Sequence, residues 1–200
     1  ESNKSRKSRI QATLRQNVGL HAFEYQVSLL LGPGYTTLSE APNIENSWMT
    51  IAEFWNNLAN ENFPFRITMG VHNRADRDGL SLVVKGDKRI TLPDGSYEWT
   101  DVWQQPEYVA QIEVPTESWF TLHVAIQEGD INGGRVIVSS VDGSGQRTEL
   151  INVADYTHHP DDPNPDGFKD INPIKLYTSG KLVCDLQAQA NQPLAILWDN

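Results

Sequence analysis

One cysteine, Cys184, stands in 200 residues. No internal disulfide can form, and Cys184 is expected to be a small buried residue. The chain also lacks long apolar runs: Val27 to Leu31, for one, is interrupted by Ser28, and every such run is far short of the roughly 20 residues that span a bilayer. Insertion into a membrane as a helix is excluded. Positive charge is scarce, with 16 Lys and Arg against 26 Asp and Glu and a formal charge of −10. Five of the basic residues, Lys4, Arg6, Lys7, Arg9 and Arg15, crowd the start of the chain, which leaves the remainder more acidic still. Such a body disfavours nucleic acid and anionic membrane surfaces as partners and does not suit a heavily sulfated polymer. "ESNKSRKSRI" has a basic cluster with no apolar segment behind it and so is not a signal peptide. There is neither a repeat of 20 to 50 residues nor a linker-like run, so a basic segment, 1–9, is expected to precede a single domain, 10–200.

What the chain has in quantity is alternation. Apolar and polar residues alternate over 10–15, 22–31, 48–56, 64–72, 79–85, 107–113, 119–127, 134–141, 146–151, 173–177 and 193–199, the pattern of antiparallel strands with one buried face. "GPG" at 32–34, "DGS" at 94–96 and 142–144 and "NGG" at 132–134 read as the turns between them. "SGKLVCDLQAQA", 179–190, reads as one short helix near the C-terminus. The expected fold is all-β: a sandwich of two antiparallel sheets. Residues 86–106 and 152–172 are left as long connections, of the kind that form binding lips.

Strand alternation separates a buried from an outward face. In "PFRITMGVH" the outward set is Arg66, Thr68, Gly70 and His72; in "WFTLHVAIQ" it is Thr121, His123, Ala125 and Gln127. The same reading adds Glu24, Gln26 and Ser28, then Lys85, then Lys175 with Tyr177. Gathered on one sheet, these form the toolkit of a carbohydrate groove: a cation or amide holds a carboxylate, and His or Tyr moves a proton. "SWMTIAEFWNN" carries bulk on both faces, so its strand is expected to be central, with Glu53 a buried general acid or base, or a structural carboxylate paired with Arg66. Of six tryptophans, Trp55, Trp99 and Trp103 are placed beside the groove as stacking platforms; Trp48, Trp119 and Trp198 are placed in the core.

"THHPDDPNPDGFKD", 157–170, raises the question of a metal. Asp162, Asn164 and Asp166 alternate before Gly167 as in a calcium loop, but Pro173 stands where a bidentate Glu is needed. An EF-hand is excluded and an isolated calcium site is left open; adjacent His158 and His159 have the wrong spacing for zinc on a helix. The favoured reading is a proline-stiffened acidic lip of the groove.

The order "SWMTIAEFWN", "PFRITMGV", "VPTESWFTLHVAIQEGDINGGRVIVSSVDG", "NPIKLYTS", "PLAILWDN" resembles the concanavalin A-like jelly rolls of bacterial polysaccharide degradation, in particular heparin-lyase-I-like and alginate-lyase-like enzymes. The resemblance implies β-elimination at a uronic acid in a groove on the concave sheet. It implies that Tyr177 matches the tyrosine of a late Lys/Tyr strand, with Lys175 near it. Where the family carries a Gln-x-His motif, this chain has Glu53, Phe54 and Trp55. His72 or His123 then stands in as base, with Arg66 or Gln127 as neutraliser and Lys85 as a further substrate contact. The terminal "WDN" resembles a closing strand at which relatives hold structural calcium, making Asp199 a metal candidate; no cofactor is required for the reaction. The rival expectations are a glycoside hydrolase, in which Glu53 works with Glu24, Glu113 or Glu128, and a non-catalytic glycan-binding module. The implied partner is a polysaccharide or oligosaccharide, and the implied molecule is a monomer that is secreted, periplasmic or on the cell surface, its signal peptide removed.

Overall fold

The computed structural model describes residues 8–17, 19–40, 48–73, 79–103, 109–178, 183, 185 and 194–199. Among the described residues these elements follow in chain order: β1 (Ser8–Leu14), β2 (Ala22–Leu31), α1 (Gly34–Glu40), β3 (Met49–Trp55), β4 (Phe65–Asn73), β5 (Leu80–Thr91), β6 (Tyr97–Trp103), β7 (Val109–Glu113), β8 (Trp119–Gln127), β9 (Arg135–Val141), β10 (Arg147–Val153), β11 (Asp170–Thr178) and β12 (Ile196–Asp199). They make two antiparallel sheets. The seven-stranded sheet runs β1-β11-β3-β4-β5-β6, with β7 on β5, and the five-stranded sheet runs β10-β9-β8-β2-β12. The inner faces meet in one core, to which Phe65, Ile67, Met69 and Val71 of β4 and Leu122, Val124 and Ile126 of β8 contribute.

Every expected strand is present, and the departures have physical causes. β5 continues to Thr91 and returns as β6, so much of the connection expected at 86–106 is a hairpin closed by the expected turn, with Gly95 at φ 82°. Most of β6 is exposed or half-buried, and without a covered face its sequence shows no alternation to read. "GPG" leads into α1, whose Tyr35 and Leu38 are buried; seven residues are too few for a periodic signal. The helix expected at 179–190 lies largely outside the described residues, Cys184 included, and Val183 and Asp185 within it are helical. β1 begins at Ser8, so Arg9, expected in the basic segment, belongs to the sheet.

Trp103 is not a groove platform. It is 2% exposed, packs in the core and donates its indole N–H to the Tyr156 carbonyl at 2.7 Å. Its ring occupies the space that a side chain on Gly86 would need: a methyl there would stand 2.5 Å from Trp103 Cε2. Gly86→Ala is therefore expected to cost about 1–3 kcal/mol through overpacking, measured as a lower urea midpoint with an unchanged slope.

Candidate functional site

β3 decides what the outer face of the large sheet carries. Thr50 pairs with Gly70 and Ala52 with Met69, so Ile51 is an extra residue, a β-bulge. The bulge shifts the phase of alternation. On its two sides Thr50 and Glu53, three residues apart, line the same cavity, while Met49, Ala52 and Phe54 join the core. Uninterrupted alternation, which sets Trp48 with Ala52 in the core, fails here for that reason. Trp48 is half-buried and lines the cavity; of its two companions, Trp119 is half-exposed and Trp198 is partly buried against the core.

The cavity, of about 240 Å³, is lined by Trp48, Thr50, Glu53, Arg66, Thr68, Gly70, His72, Val83, Lys85 and Tyr177. The sheet register explains the set. Tyr177, Thr50, Gly70 and Val83 form one row across four strands, and Glu53, Thr68 and Lys85 form another. Gly70 leaves the floor open between Tyr177 and Val83; a methyl on it would meet the Met49 carbonyl oxygen at 2.7 Å and His72 Nε2 at 3.3 Å. The His72 imidazole therefore leans over the row that ends in Tyr177.

An ion-pair network runs alongside this row. The Lys175 ammonium, 0% exposed, donates to Glu53 Oε2, and Arg66 Nη1 lies 3.6 Å from Glu53 Oε1. Arg66 Nε then donates to Asp87 Oδ2 at 3.0 Å, and Lys85 Nζ reaches Asp87 Oδ1 at 2.9 Å and Asp101 Oδ1 at 3.3 Å. Burial opposes ionisation of Asp87, yet the Asp101 hydrogen bond and the charges of Lys85 and Arg66 hold its carboxyl below the usual range. Burial and the hydrogen bond to Asp87 push Asp101 the other way. Burial lowers the Lys175 ammonium, and the Glu53 carboxylate opposes that shift. Arg66 also lies 4.3 Å from the ring centre of Trp99 and 5.6 Å from that of Trp55, whose rings meet edge-on at 5.5 Å. Tyr177 is flanked by Trp48 at 5.5 Å and by the Arg9 guanidinium at 4.9 Å over its ring. Arg9, Arg66, Lys85 and Lys175 face Glu53, Asp87 and Asp101, a local excess of positive charge on a chain of −10.

Of the expected site residues, His72, Tyr177, Arg66, Lys85 and Glu53 share this cavity, with Trp55 and Trp99 beside Arg66. Lys175 is close by but sealed in its ion pair, out of reach of a ligand. His123 and Gln127 are on the wrong sheet: both lie on β8 of the five-stranded layer, on the face away from its core residues. His123 bonds Glu24 there at 3.0 Å. Both sheets separate them from Tyr177. The carboxylates expected to partner Glu53 are also elsewhere. Glu24 holds His123, Glu128 accepts from Asn56 at 2.6 Å and Gly167 N–H at 3.2 Å, and Glu113 lies against Gly79. Alternation assigns a residue to a face but not to one of two sheets, so it cannot separate the outward residues of β2 and β8 from those of β4 and β11.

The loop that ends in β11 forms no lip of this cavity. Thr157 Oγ1 accepts from Gly129 N–H and donates to the Gln127 carbonyl, both at 2.8 Å. His158 and His159 are buried, and Phe168 enters the core. Asp162, Asn164 and Asp166 line a separate surface cavity with Asn57, Glu61, Phe63 and Lys169. They do not fit a calcium ion: Asp162 accepts from Asn57 Nδ2 at 2.8 Å and Asn164 N–H at 3.0 Å, and the Lys169 ammonium stands 3.4 Å from Asp166. Asp199 lies on β12, in the other sheet. Among the described residues no three His, Cys, Asp or Glu side chains converge as metal ligands, and no helix is long and apolar enough to cross a membrane.

No family model matches the chain, and no curated protein matches it in sequence. Solved structures do match. The endo-β-1,4-glucuronan lyase of the fungus Trichoderma reesei superposes with a TM-score of 0.53 over 100% of this chain and 75% of its own, at 11% identity. The fold is a concanavalin A-like jelly roll. The alginate lyase Aly36B is also similar, at TM-score 0.46 and 9% identity over 97% of this chain and 78% of its own.

Two outcomes test this geometry. Glu53→Gln leaves the buried Lys175 ammonium without its counter-charge and is expected to cost about 3–5 kcal/mol in urea unfolding. The second concerns His159, whose Nδ1 accepts the Asp161 N–H at 3.1 Å and whose pKa is lowered, first by burial and then by Lys88. Its contribution is complete above the unfolded pKa of about 6.5 and is lost as pH falls below it, because the unfolded chain then binds the extra proton. Thermal midpoints across that range are expected to fall more steeply for the native chain than for His159→Gln.

Proposed function

We propose that the chain binds an acidic polysaccharide across the outer face of the seven-stranded sheet and cleaves it by β-elimination at a uronic acid. The observation that carries this reading is that His72 and Tyr177 line one cavity with the cations Arg66 and Lys85. Arg66 and Lys85 face the substrate carboxylate and draw off the charge that builds up as C5 is deprotonated. His72 takes the C5 proton. The electron pair becomes the C4–C5 double bond as the bond from C4 to the glycosidic oxygen breaks, and Tyr177 gives that oxygen its proton. Trp48, Trp55 and Trp99 offer ring faces to the sugars. The excess of positive charge at the cavity supports an anionic polymer, and the Trichoderma reesei protein of the same fold is, by its name, a glucuronan lyase. A protein with this substrate works outside the cytoplasm, and one copy holds the whole site.

Glycan binding without cleavage is the second reading. One observation favours it: Arg66 and Lys85 are both already engaged by Asp87. The deciding experiment incubates the chain with polyglucuronate and alginate and follows the ultraviolet absorbance of the unsaturated uronate. Absorbance is expected to rise, and His72→Asn and Tyr177→Phe are each expected to lower the rate by about 100-fold or more. New reducing ends without absorbance would sink the elimination reading in favour of hydrolysis; retained binding with neither signal would leave a binding module.

A further inference from the structure

The row of Tyr177, Thr50, Gly70 and Val83 extends one strand further. Arg9 of β1 pairs with Tyr177, and β1 is an edge of the seven-stranded sheet, so Arg9 ends the row on the side away from β5. Directly paired residues share a face of the sheet, and the Arg9 guanidinium lies 4.9 Å from the centre of the Tyr177 ring. Lys175 Nζ is 5.3 Å from the same centre, but that ammonium is buried in its pair with Glu53.

The cations of the site differ in what already holds them. Arg66 answers Glu53 and Asp87, and Lys85 answers Asp87 and Asp101. Arg9 is exposed, and among the described residues its side chain rests on the Tyr177 ring with no carboxylate partner. Its forked donors are thus open to a carboxylate from outside, the group they fit best. The two sets of cations also stand apart. Four strand spacings separate β1 from β5, roughly 19 Å between their backbones, and Lys85 is drawn toward Asp101 on β6, further still. One carboxylate does not answer both Arg9 and Lys85.

We propose that Arg9 binds the carboxylate of the sugar that departs with the glycosidic oxygen, so that the site takes polymers with a uronate on each side of the cleaved bond. The inference rests on the elimination reading, in which Tyr177 gives that oxygen its proton. The sugar that keeps the oxygen then lies at Tyr177, and Arg9 is the cation beside it. Arg66 and Lys85 meet the carboxylate next to C5 on the other sugar. In a polymer that alternates uronates with neutral sugars the departing sugar is neutral, and Arg9 has nothing to bind. The substrate class is therefore a run of consecutive uronates.

Polyglucuronate and alginate in which part of the carboxylates has been reduced to alcohols keep their linkages and test this with the full chain. The sugar at each new reducing end is the one that departed with the oxygen, and mass spectrometry of the end-labelled products identifies it. From the native chain, uronates are expected at these ends well above their share of the polymer; from Arg9→Gln, at that share. Arg9→Lys, which keeps the charge, is expected to retain part of the preference. On the unreduced polymers Arg9→Gln is expected to raise KM by about 3- to 10-fold. Circular dichroism confirms the fold of each variant, and if one does not fold, the ends made by the native chain still decide. Neutral sugars at the native chain's new ends in proportion to their share, or an Arg9→Gln enzyme that is slower but makes the same ends, overturns the inference and leaves elimination standing. A native chain that forms no unsaturated uronate from either polymer sinks the elimination reading, and this inference with it.

Discussion

The pairing of Lys175 with Glu53 organises the rest of the molecule around it. Two charges removed from water on neighbouring strands are stable only while each answers the other. The pair therefore ties β11 to β3 at the centre of the large sheet. Glu53 also reaches Arg66, Arg66 reaches Asp87, and Asp87 reaches Lys85. A chain of alternating charge thus crosses β11, β3, β4 and β5 along the cavity. Because each member is held by the one before it, the cations at the surface are set in position before any ligand arrives. A second thread supports it from the edge strand: Thr13 donates to Asn172 at 2.6 Å, and Asn172 donates to the Glu53 carbonyl at 3.2 Å.

This arrangement separates two tasks. Lys175 and Glu53 supply rigidity, and the residues above them are left to meet substrate. Arg66 belongs to both sets, since it is anchored by Glu53 and Asp87 while its guanidinium lies over Trp99. The His72–Tyr177 row depends on the same architecture in a different way. Gly70 contributes by the side chain it lacks, because any Cβ at that position would close the floor against the Met49 carbonyl.

The strands were legible because one face of most of them is buried, and burial writes a period of two into the residues. Where that cause is missing, as in β6, the signal is missing too. Alternation in β4 and β11 places their residues on the correct face, and Glu53 does lie against Arg66. What the sequence could not show was partition between sheets. His123 alternates as cleanly as His72, yet it faces away from the site, since the choice of sheet is made by strand order and not by local pattern. Trp48 was misplaced for a third reason: an inserted residue shifts phase without leaving a compositional mark. Beside the calcium-like spacing of Asp162, Asn164 and Asp166 stands the Lys169 ammonium, 3.4 Å from Asp166, which brings positive charge where a metal would.

The bulge at Ile51 makes β3 a strand with two reading frames. Before it, Trp48 and Thr50 face outward; after it, Glu53 and Trp55 do, although plain alternation along the sequence would set the two pairs on opposite faces. Removing Ile51 would restore plain alternation and leave Thr50, Ala52 and Glu53 opposite Gly70, Met69 and Thr68, each still on its present face. The extra residue is what lets outward positions that stand three apart in sequence share one side of the sheet. A pattern that reads as broken along the chain is therefore continuous in space wherever a strand carries such an insertion.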